Sequence, residues 1–203
     1  MTSSATKEQY QQMRNALSSW VNLSNDQWRQ LAKIFQSRTV NHREHILLPD
    51  TAVHEIYFVC HGLLRFYYLS DDGVESNKAF IPENTFAGSL AALALNLSVL
   101  YGIQALEPTT YLVTQFSEFV ALFEQDPVFE RLGRKFAEWL LIRKELRTRS
   151  LLQQQGQQRY LTFAQDYPEL VARIPQYHIA SYLGITEVSL SRIKRSLKQE
   201  SAI

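Results

Sequence analysis

The hydrophobic positions of the chain repeat first with a helical period, then with a strand period, and then with a helical period again. In residues 24–38 apolar side chains recur every three or four positions, as in an amphipathic helix. Ser24 precedes this pattern and Gln27 follows three residues later, which is the spacing of a capping box. We therefore predict a helix over residues 24–38.

Residues 39–117 have the pattern of short strands. Apolar and β-branched runs stop at turn residues, which are Pro49, His61-Gly62, Ser70-Asp71-Asp72-Gly73 and Pro82. The Asp72-Gly73 pair between two such runs predicts a hairpin, because glycine tolerates the positive φ of a tight turn. Many short strands with frequent turns predict a small β-barrel or sandwich.

Residues 84–106 contain no charged side chain, and a run of this length is long enough to cross a bilayer. Small and polar residues interrupt the run, however, and no basic cluster anchors either end. We therefore predict a buried strand, a short helix and a second buried strand, with no membrane segment. The polar N-terminus has no apolar stretch of the kind that a secretion signal needs, so we expect a cytoplasmic location.

A long helix is predicted after the strands. Asp126-Pro127 marks its start, because proline suits the first helical position. Residues on one face then follow at alternating spacings of three and four, which is the heptad spacing of a supercoiled pair of helices. We expect this face to pair two copies of the chain through Phe129, Leu132, Phe136, Trp139, Arg143 and Leu146. Packing of the helix on its own domain is the alternative.

The charges are divided unevenly along the chain, although the net charge is only +1. Residues 1–130 contain 8 Lys and Arg against 14 Asp and Glu, which gives −6. Residues 131–203 contain 13 Lys and Arg against 6 Asp and Glu, which gives +7. A basic C-terminal segment of this kind indicates a polyanionic partner.

Residues 175–198 have the pattern of a helix-turn-helix. A first predicted helix over residues 176–183 is followed by Gly184 as the turn residue, by Ile185 as a buried wedge, and by Thr186 as the cap of a second helix. The second helix of this motif enters the major groove of DNA. We expect the DNA contacts to come from Thr186, Glu187, Val188, Ser189, Ser191, Arg192, Lys194 and Arg195.

Arg192 is the first candidate for a base contact, because arginine can bind O6 and N7 of guanine through two hydrogen bonds. Ser189 and Ser191 lie beside it, and Lys194 and Arg195 suit phosphates. A helical hairpin that is basic for another reason is the alternative interpretation of the same residues.

Taken together, these segments resemble the Crp/Fnr family of bacterial transcription regulators. The resemblance covers about residues 24–198 and depends on an ordered set of motifs: Ile56–Gly62, Asp71-Asp72-Gly73, Phe86-Ala87-Gly88-Ser89-Leu90, the helix from Pro127, and His178–Thr186 continuing into Leu190-Ser191-Arg192-Ile193. It implies an α+β chain with a cyclic-nucleotide-binding-like β-barrel (a jelly roll) in residues 1–126, a dimerisation helix in residues 127–152, and a helix-turn-helix domain in residues 153–203.

The sequence departs from the nucleotide-binding members of that family at the expected ligand site. Their glutamate for the ribose corresponds to Ser89 here, and their arginine for the cyclic phosphate falls at or next to Val99. No Lys or Arg occurs between Lys78 and Arg131, and a buried phosphate without a cation is costly. We therefore expect no cAMP binding of the usual kind. The corresponding pocket, with an apolar ligand or none, would be lined by Gly88, Ser89, Leu90, Val99 and Leu100.

The DNA-binding end departs from the family pattern as well. Val188 stands where many members have a glutamate, so we expect a DNA target that differs from the commonest family sites. The chain stops at Ile203, soon after the recognition helix, which predicts the absence of a full wing and a shallower salt dependence.

Other chemistry is poorly supported by the sequence. The histidines at 42, 45, 54 and 61 lack the spacing of a cupin metal site, and Cys60 is expected to be a packed, inert thiol. There is no nucleophile elbow or phosphate loop, so we expect neither an enzyme nor a cofactor. The leading hypothesis is a homodimeric DNA-binding regulator with RNA polymerase as a candidate further partner and an unknown effector. The alternative is a ligand-binding or protein-interaction module with a vestigial helix-turn-helix.

Overall fold

A computed structural model of the chain describes residues 2–3, 5–95 and 97–200. Eleven antiparallel strands and three helices are described in the first 115 residues, a long helix follows, and the remainder is mainly helical. In chain order the elements are β1 (Thr2–Ser3), α1 (Lys7–Ser18), α2 (Asn25–Lys33), β2 (Gln36–Val40), β3 (His45–Leu47), β4 (Thr51–Ala52), β5 (Glu55–His61), β6 (Leu64–Leu69), β7 (Glu75–Ile81), β8 (Thr85–Ala87), α3 (Leu90–Leu95), β9 (Ser98–Val99), β10 (Tyr101–Ala105), β11 (Thr109–Gln115), α4 (Phe116–Ala121), α5 (Pro127–Gln153), α6 (Gly156–Asp166), α7 (Leu170–Arg173), α8 (Gln176–Leu183) and α9 (Glu187–Glu200).

The strands form a jelly-roll-like barrel from two main sheets. One sheet has the order β1-β2-β11-β5-β8, the other has the order β3-β10-β6-β7, and β4 pairs with β9. All pairs are antiparallel. Gly73 has a φ of 78° in the turn between β6 and β7, as the predicted hairpin requires. The predicted α+β fold is confirmed.

The N-terminal part differs from the prediction at two places. Helix α1 was not predicted; Thr6 caps it, and its buried face carries Met13 and Leu17. Helix α2 begins after Ser24 with the predicted capping box, but it ends at Lys33 rather than at residue 38. The predicted end was wrong because residues 36–40 pair with β11, and this sheet pairing prevails over the helical spacing.

The uncharged run from 84 to 106 contains β8, α3, β9 and β10, in the predicted order of strand, short helix and strand. Val99 and Ile103 are buried in the interior of the barrel, which explains why this run has few polar side chains. Within the described ranges, no helix is both long and apolar enough to cross a membrane.

Three hydrophobic clusters hold the chain together. The first lies between one outer face of the barrel and α1, α2 and α5, and the second fills the barrel. The third joins the C-terminal helices to the barrel, because Leu63 and Phe80 of the barrel region pack with Phe163, Leu183 and Leu190. The helix-turn-helix is therefore docked on the barrel.

Candidate functional site: the helix-turn-helix and its contacts with the barrel

Helices α8 and α9 form the predicted helix-turn-helix, and its turn depends on one glycine. Gly184 ends α8 with φ 64° and ψ 40°, a left-handed conformation that glycine adopts without steric cost. Thr186 Oγ1 accepts a hydrogen bond of 3.1 Å from Ser189 N and so caps α9, as predicted. Leu183 and Leu190 are buried in the cluster that α6, α8 and α9 share, which fixes the angle between the helices.

The residues predicted to contact DNA all lie at the surface of α9 or at its cap. Ser189 and Lys194 are half-exposed, and the others are exposed: Thr186, Glu187, Val188, Ser191, Arg192 and Arg195. In the part of the chain that the structure describes, no carboxylate lies within ion-pair distance of Arg192, Lys194 or Arg195. These positive charges are therefore available to a polyanion.

Helix α8 is held against β7 by a buried polar contact. Asn77 Nδ2 lies 3.0 Å from both Nδ1 and the carbonyl oxygen of His178, and Asn77 N donates to Ser181 Oγ at 2.9 Å. Asn77 and His178 are both only 6% exposed. Burial, reinforced by the charge of Arg65, lowers the pKa of His178 to about 4. His178 is therefore neutral at pH 7, and Nδ1 can accept the hydrogen bond.

The orientation of the Asn77 amide is fixed from the barrel side. The Arg65 guanidinium donates to Asn77 Oδ1 at 3.1 Å and to Gln104 Oε1 at 2.8 Å, and it forms an ion pair with Glu75. Because arginine can only donate, the oxygen of Asn77 must face Arg65 and its NH2 group must face His178. The contact between the barrel and α8 is thus one connected network.

An ion pair network forms a second bridge between the same two parts. Arg173 at the end of α7 donates to both oxygens of Glu83, at 3.0 and 2.8 Å, and to both oxygens of Glu107, at 3.0 and 2.7 Å. Burial raises the pKa of Glu83, but hydrogen bonds from Arg173 and from Gly62 N lower it by more. Both glutamates lie in barrel loops, so Arg173 ties the helical domain to the barrel.

The C-terminal end of α8 is capped by two arginines from other helices. Arg147 of α5 donates to the carbonyl oxygen of Tyr182 and stacks on its ring, and Arg159 of α6 donates to the carbonyl oxygen of Leu183 at 2.7 Å. The last carbonyls of a helix lack partners within the helix, and cations are favoured there. These contacts join α8 to the long helix.

Solved structures of known proteins share this order of barrel, long helix and helix-turn-helix. FixK2 from Bradyrhizobium japonicum is similar with a TM-score of 0.74 and 20% identity, over 83% of this chain and 86% of FixK2. A CooA mutant from Carboxydothermus hydrogenoformans gives a TM-score of 0.66 and 21% identity, over 83% of this chain and 78% of CooA. The catabolite activator protein of Thermus thermophilus gives a TM-score of 0.57 and 17% identity, over 90% of this chain and 87% of the activator protein.

The chain has the fold of the Crp/Fnr regulators. The resemblance inferred from the sequence motifs is confirmed at the level of the fold. No protein-family model and no curated protein matches the sequence.

Most of the predicted seam on the long helix of this Crp/Fnr fold packs on residues of the same chain. Phe129, Leu132 and Phe136 are buried against the barrel and α1, and Trp139 packs on Trp20 in the same cluster. Heptad spacing also arises when one helix packs on its own domain, and these four predicted positions are covered by the chain's own side chains. Of the remaining two predicted residues, Arg143 lies on Trp139 and donates to Tyr167 Oη, and Leu146 is 57% exposed.

A different face of the long helix is apolar and exposed. More than half of the surface of each of its four members is accessible: Leu141, Ile142, Leu146 and Leu152. At 3.6 residues per turn, the four side chains lie within an arc of about 140° around the helix axis. The centre of the predicted seam is about 120° around the axis from the centre of this face, and Leu146 lies at the border between the two faces.

The residues predicted to line a ligand pocket are not brought together. Val99 is buried in the barrel interior, whereas Leu100 is 70% exposed. Leu90 packs on the cluster between the barrel and the helices, on the other side of the sheet. Gly88 and Ser89 are half-exposed at the start of α3. Leu100 lies in the bend between β9 and β10, where its side chain points to the surface.

The structure also places the residues considered for other chemistry. Cys60 is buried, and burial raises the pKa of its thiol to about 12, so it is protonated and unreactive at neutral pH. Among the described residues, no three or more of the His, Cys, Asp and Glu side chains form a group that could hold a metal ion.

Sequence reasoning missed the residues that join the two domains. Asn77, Arg173 and Lys78 were not singled out, and His178 appeared only within a family motif. One signal could have indicated Asn77: it is a polar residue in a strand, β7, that continues into buried apolar residues. Its partners are about 100 residues away in sequence, so no local spacing could have identified them.

Proposed function

We propose that this chain is a homodimeric transcription regulator that binds a specific, near-palindromic DNA sequence through α9. The cations of α9 support the proposal most directly, because Arg192, Lys194 and Arg195 lie on the second helix of a helix-turn-helix and no described carboxylate pairs with them. The fold shared with the Crp/Fnr regulators supports it as well. A location in the cytoplasm and a role for RNA polymerase as a further partner belong to the same proposal.

Within α9 we assign the base contact to Arg192. Its side chain is exposed near the middle of the helix, and Ser189 and Ser191 lie beside it. Arginine can discriminate guanine through a bidentate hydrogen bond, while Lys194 and Arg195 would bind phosphates. Val188 is 60% exposed in the first turn of the helix and offers an apolar contact to a thymine methyl group.

We assign the contact between two chains to the exposed apolar face of α5. Leu141, Ile142, Leu146 and Leu152 leave a surface that water disfavours, and a second copy of the same helix would cover it. A two-fold axis along α5 would place the two copies of α9 for half-sites about one helical turn of DNA apart.

We also propose that cAMP is not the effector. The resemblance places a ribose-binding glutamate at Ser89 and a phosphate-binding arginine at or next to Val99, and neither residue can supply that chemistry. Val99 is buried among apolar side chains and supplies no cation, so a phosphate at this position would lose its hydration without the arginine that the family uses. Calorimetric titration with cAMP is expected to give no heat of binding, and micromolar binding would contradict the proposal.

The test of DNA binding is selection from a random duplex pool with the purified full chain. We expect one near-palindromic sequence to be enriched, and its affinity to fall with rising salt, because binding to phosphates releases counterions. Arg192→Ala should weaken binding by about 1–3 kcal/mol and relax one base position. Arg29→Ala, at an exposed arginine of α2, is the matched control and should leave affinity unchanged.

One observation favours the alternative, a ligand-binding or protein-interaction module. The first helix of the motif, α8, is partly covered by the barrel through Asn77 and Phe80. Weak binding without any enriched sequence, and with equal affinities for the wild type and Arg192→Ala, would support this alternative and contradict the regulator.

A further inference from the structure

Lys78 of β7 lies in an aromatic cage beside the long helix. Its Nζ is 3.7 Å from the ring centroid of Tyr101, 5.7 Å from that of Phe66 and 5.9 Å from that of Tyr68. Tyr101 and Phe66 are buried and stacked on each other at 5.0 Å. Such rings attract a cation through their faces, but they accept no conventional hydrogen bond from its three N–H donors.

A β-bulge presents this lysine. Phe66 of β6 pairs with Ala79, and the next residue, Tyr67, pairs with Asn77, so Lys78 is the extra residue without a partner in the ladder. Bulges redirect side chains, and they are frequent beside functional sites. The backbone of β7 is therefore irregular at the position where Lys78 enters the cage.

The ammonium group of Lys78 has no anionic partner among the described residues. In the described ranges of the chain, no carboxylate lies within ion-pair distance of Nζ. The charged group that does approach it, Lys144 of α5, is also positive. Burial first, and the charge of Lys144 second, lower the pKa of Lys78 to about 8. A half-buried cation facing a second cation is costly unless an anion accompanies the pair.

A buried hydroxyl without a partner adjoins the same cage. Among the described residues, Tyr101 Oη makes no hydrogen bond, although Tyr101 is only 4% exposed. Burial raises the pKa of Tyr101 to about 12, and the neighbouring hydroxyl of Ser89 opposes this rise. An unsatisfied buried hydroxyl costs about 1–3 kcal/mol, and a bound acceptor would remove that cost.

We propose that Lys78 and Lys144, together with the hydroxyl of Tyr101, bind a small oxyanion of the phosphate or carboxylate class between the barrel and α5. The two ammonium groups supply positive charge to neutralise the anion, and the hydroxyl supplies a directed hydrogen-bond donor. The site uses a lysine from β7 and not the segment after Gly88. The ligand therefore differs from the apolar one that the sequence predicts.

The site also has a route to the helix-turn-helix. Lys78 directly follows Asn77, whose backbone N–H and side chain hold Ser181 and His178 of α8. An anion between Lys78 and Lys144 would draw β7 towards α5, and Asn77 would move with it. This consequence rests on the proposed function, whereas the binding of the anion does not.

Calorimetric titration of the full chain, without DNA, tests the site. The probes are inorganic phosphate and succinate, which present the same oxyanion chemistry from two sources. We expect at least one probe to bind the wild type, and Lys78→Met to weaken that binding about tenfold or more, the loss expected for one charged hydrogen bond. Lys144→Gln should weaken it as well. Lys33→Met, at an exposed lysine of α2, is the matched control.

A pH series adds an independent readout. Binding should weaken as the pH rises above the pKa of Lys78, about 8, because the neutral amine does not attract an anion. Tyr101 and Tyr68, which also face the cage, stay neutral over this range because burial raises the pKa of each. Failure of both probes to bind the wild type would refute the site, and so would equal binding by Lys78→Met. DNA selection is unaffected by this result and tests the regulator separately.

Discussion

Acidification is expected to weaken the docking of α8 on the barrel through one residue, His178. At neutral pH its Nδ1 accepts a hydrogen bond from Asn77 Nδ2, which lies 3.0 Å away. Protonation of His178 would place an N–H donor against the NH2 group of Asn77. The amide cannot rotate to offer its oxygen instead, because that oxygen accepts a hydrogen bond from Arg65.

The size of the effect follows from the difference in pKa between the folded and unfolded chains. Burial lowers the pKa of His178 from 6.5 to about 4. Between these values the unfolded chain binds more protons, so this contribution to stability is present above pH 6.5 and is lost as the pH falls towards 4. Integration of this difference gives a loss of at most about 2 kcal/mol between pH 7 and pH 5.

Asn77→Asp provides the critical comparison. The aspartate still accepts a hydrogen bond from Arg65 but cannot donate to His178, so at pH 7 the variant should be less stable by about 1–3 kcal/mol. Its carboxylate should raise the pKa of His178, because an opposite charge favours the protonated imidazole. The acid-dependent loss of stability should therefore shrink or disappear in this variant.

Urea unfolding at pH 7 and pH 5 measures both effects. Contributions from titrating groups elsewhere are common to the two proteins and cancel in the difference between them. His178→Gln should also abolish the acid-dependent loss, because glutamine does not titrate. If the wild type and both variants lose the same stability between pH 7 and pH 5, His178 is not the group responsible and the reasoning is wrong.

Three further predictions concern other contacts. Arg173→Met leaves Glu83 and Glu107 without their cation, so the free energy of unfolding measured in urea should fall by about 1–3 kcal/mol. Arg29→Met, at an exposed arginine, is the control and should lower it by less than about 0.5 kcal/mol. Ile142→Glu should convert a dimer into a monomer in sedimentation experiments, whereas Leu48→Glu, at another exposed apolar residue, should not. If the dimer persists in Ile142→Glu, this face of α5 is not the interface. Thr186→Ala removes the cap of α9 and should cost about 1 kcal/mol, and an unchanged unfolding midpoint would show that the cap contributes nothing.

The sequence predicted the elements whose signals are local. The Asp72-Gly73 hairpin, the capping box at Ser24 and the glycine turn at Gly184 each depend on residues a few positions apart, and each was found where it was expected. The predicted end of α2 was wrong because it depends on residues that are distant in the sequence. Whether residues 36–38 continue a helix or enter a sheet depends on β11, about 70 residues later in the chain.

The heptad pattern of α5 illustrates a different limit. Spacings of three and four show that one face of a helix is covered, but they do not show what covers it. At Phe129 and Phe136 the cover is the chain's own barrel and N-terminal helices. The exposed apolar face of α5 carries leucines and an isoleucine without regular heptad spacing, so the spacing alone did not distinguish it from the buried face.

The absence of Lys and Arg between Lys78 and Arg131 predicted an apolar or empty pocket. That prediction considers only residues that are close together in the sequence. In the folded chain, β7 and β10 lie on either side of β6. Lys78 of β7 therefore reaches the ring of Tyr101 in β10, which is within the stretch that contains no Lys or Arg. The same short segment of β7 carries Asn77, which holds α8. If the proposed anion site and the proposed DNA contact of α9 are both correct, the bulged strand β7 would connect them without movement of the rest of the barrel, because it carries Lys78 and Asn77. Known allosteric couplings are typically about 1–3 kcal/mol, which is comparable to the contribution of one or two buried hydrogen bonds such as those of Asn77.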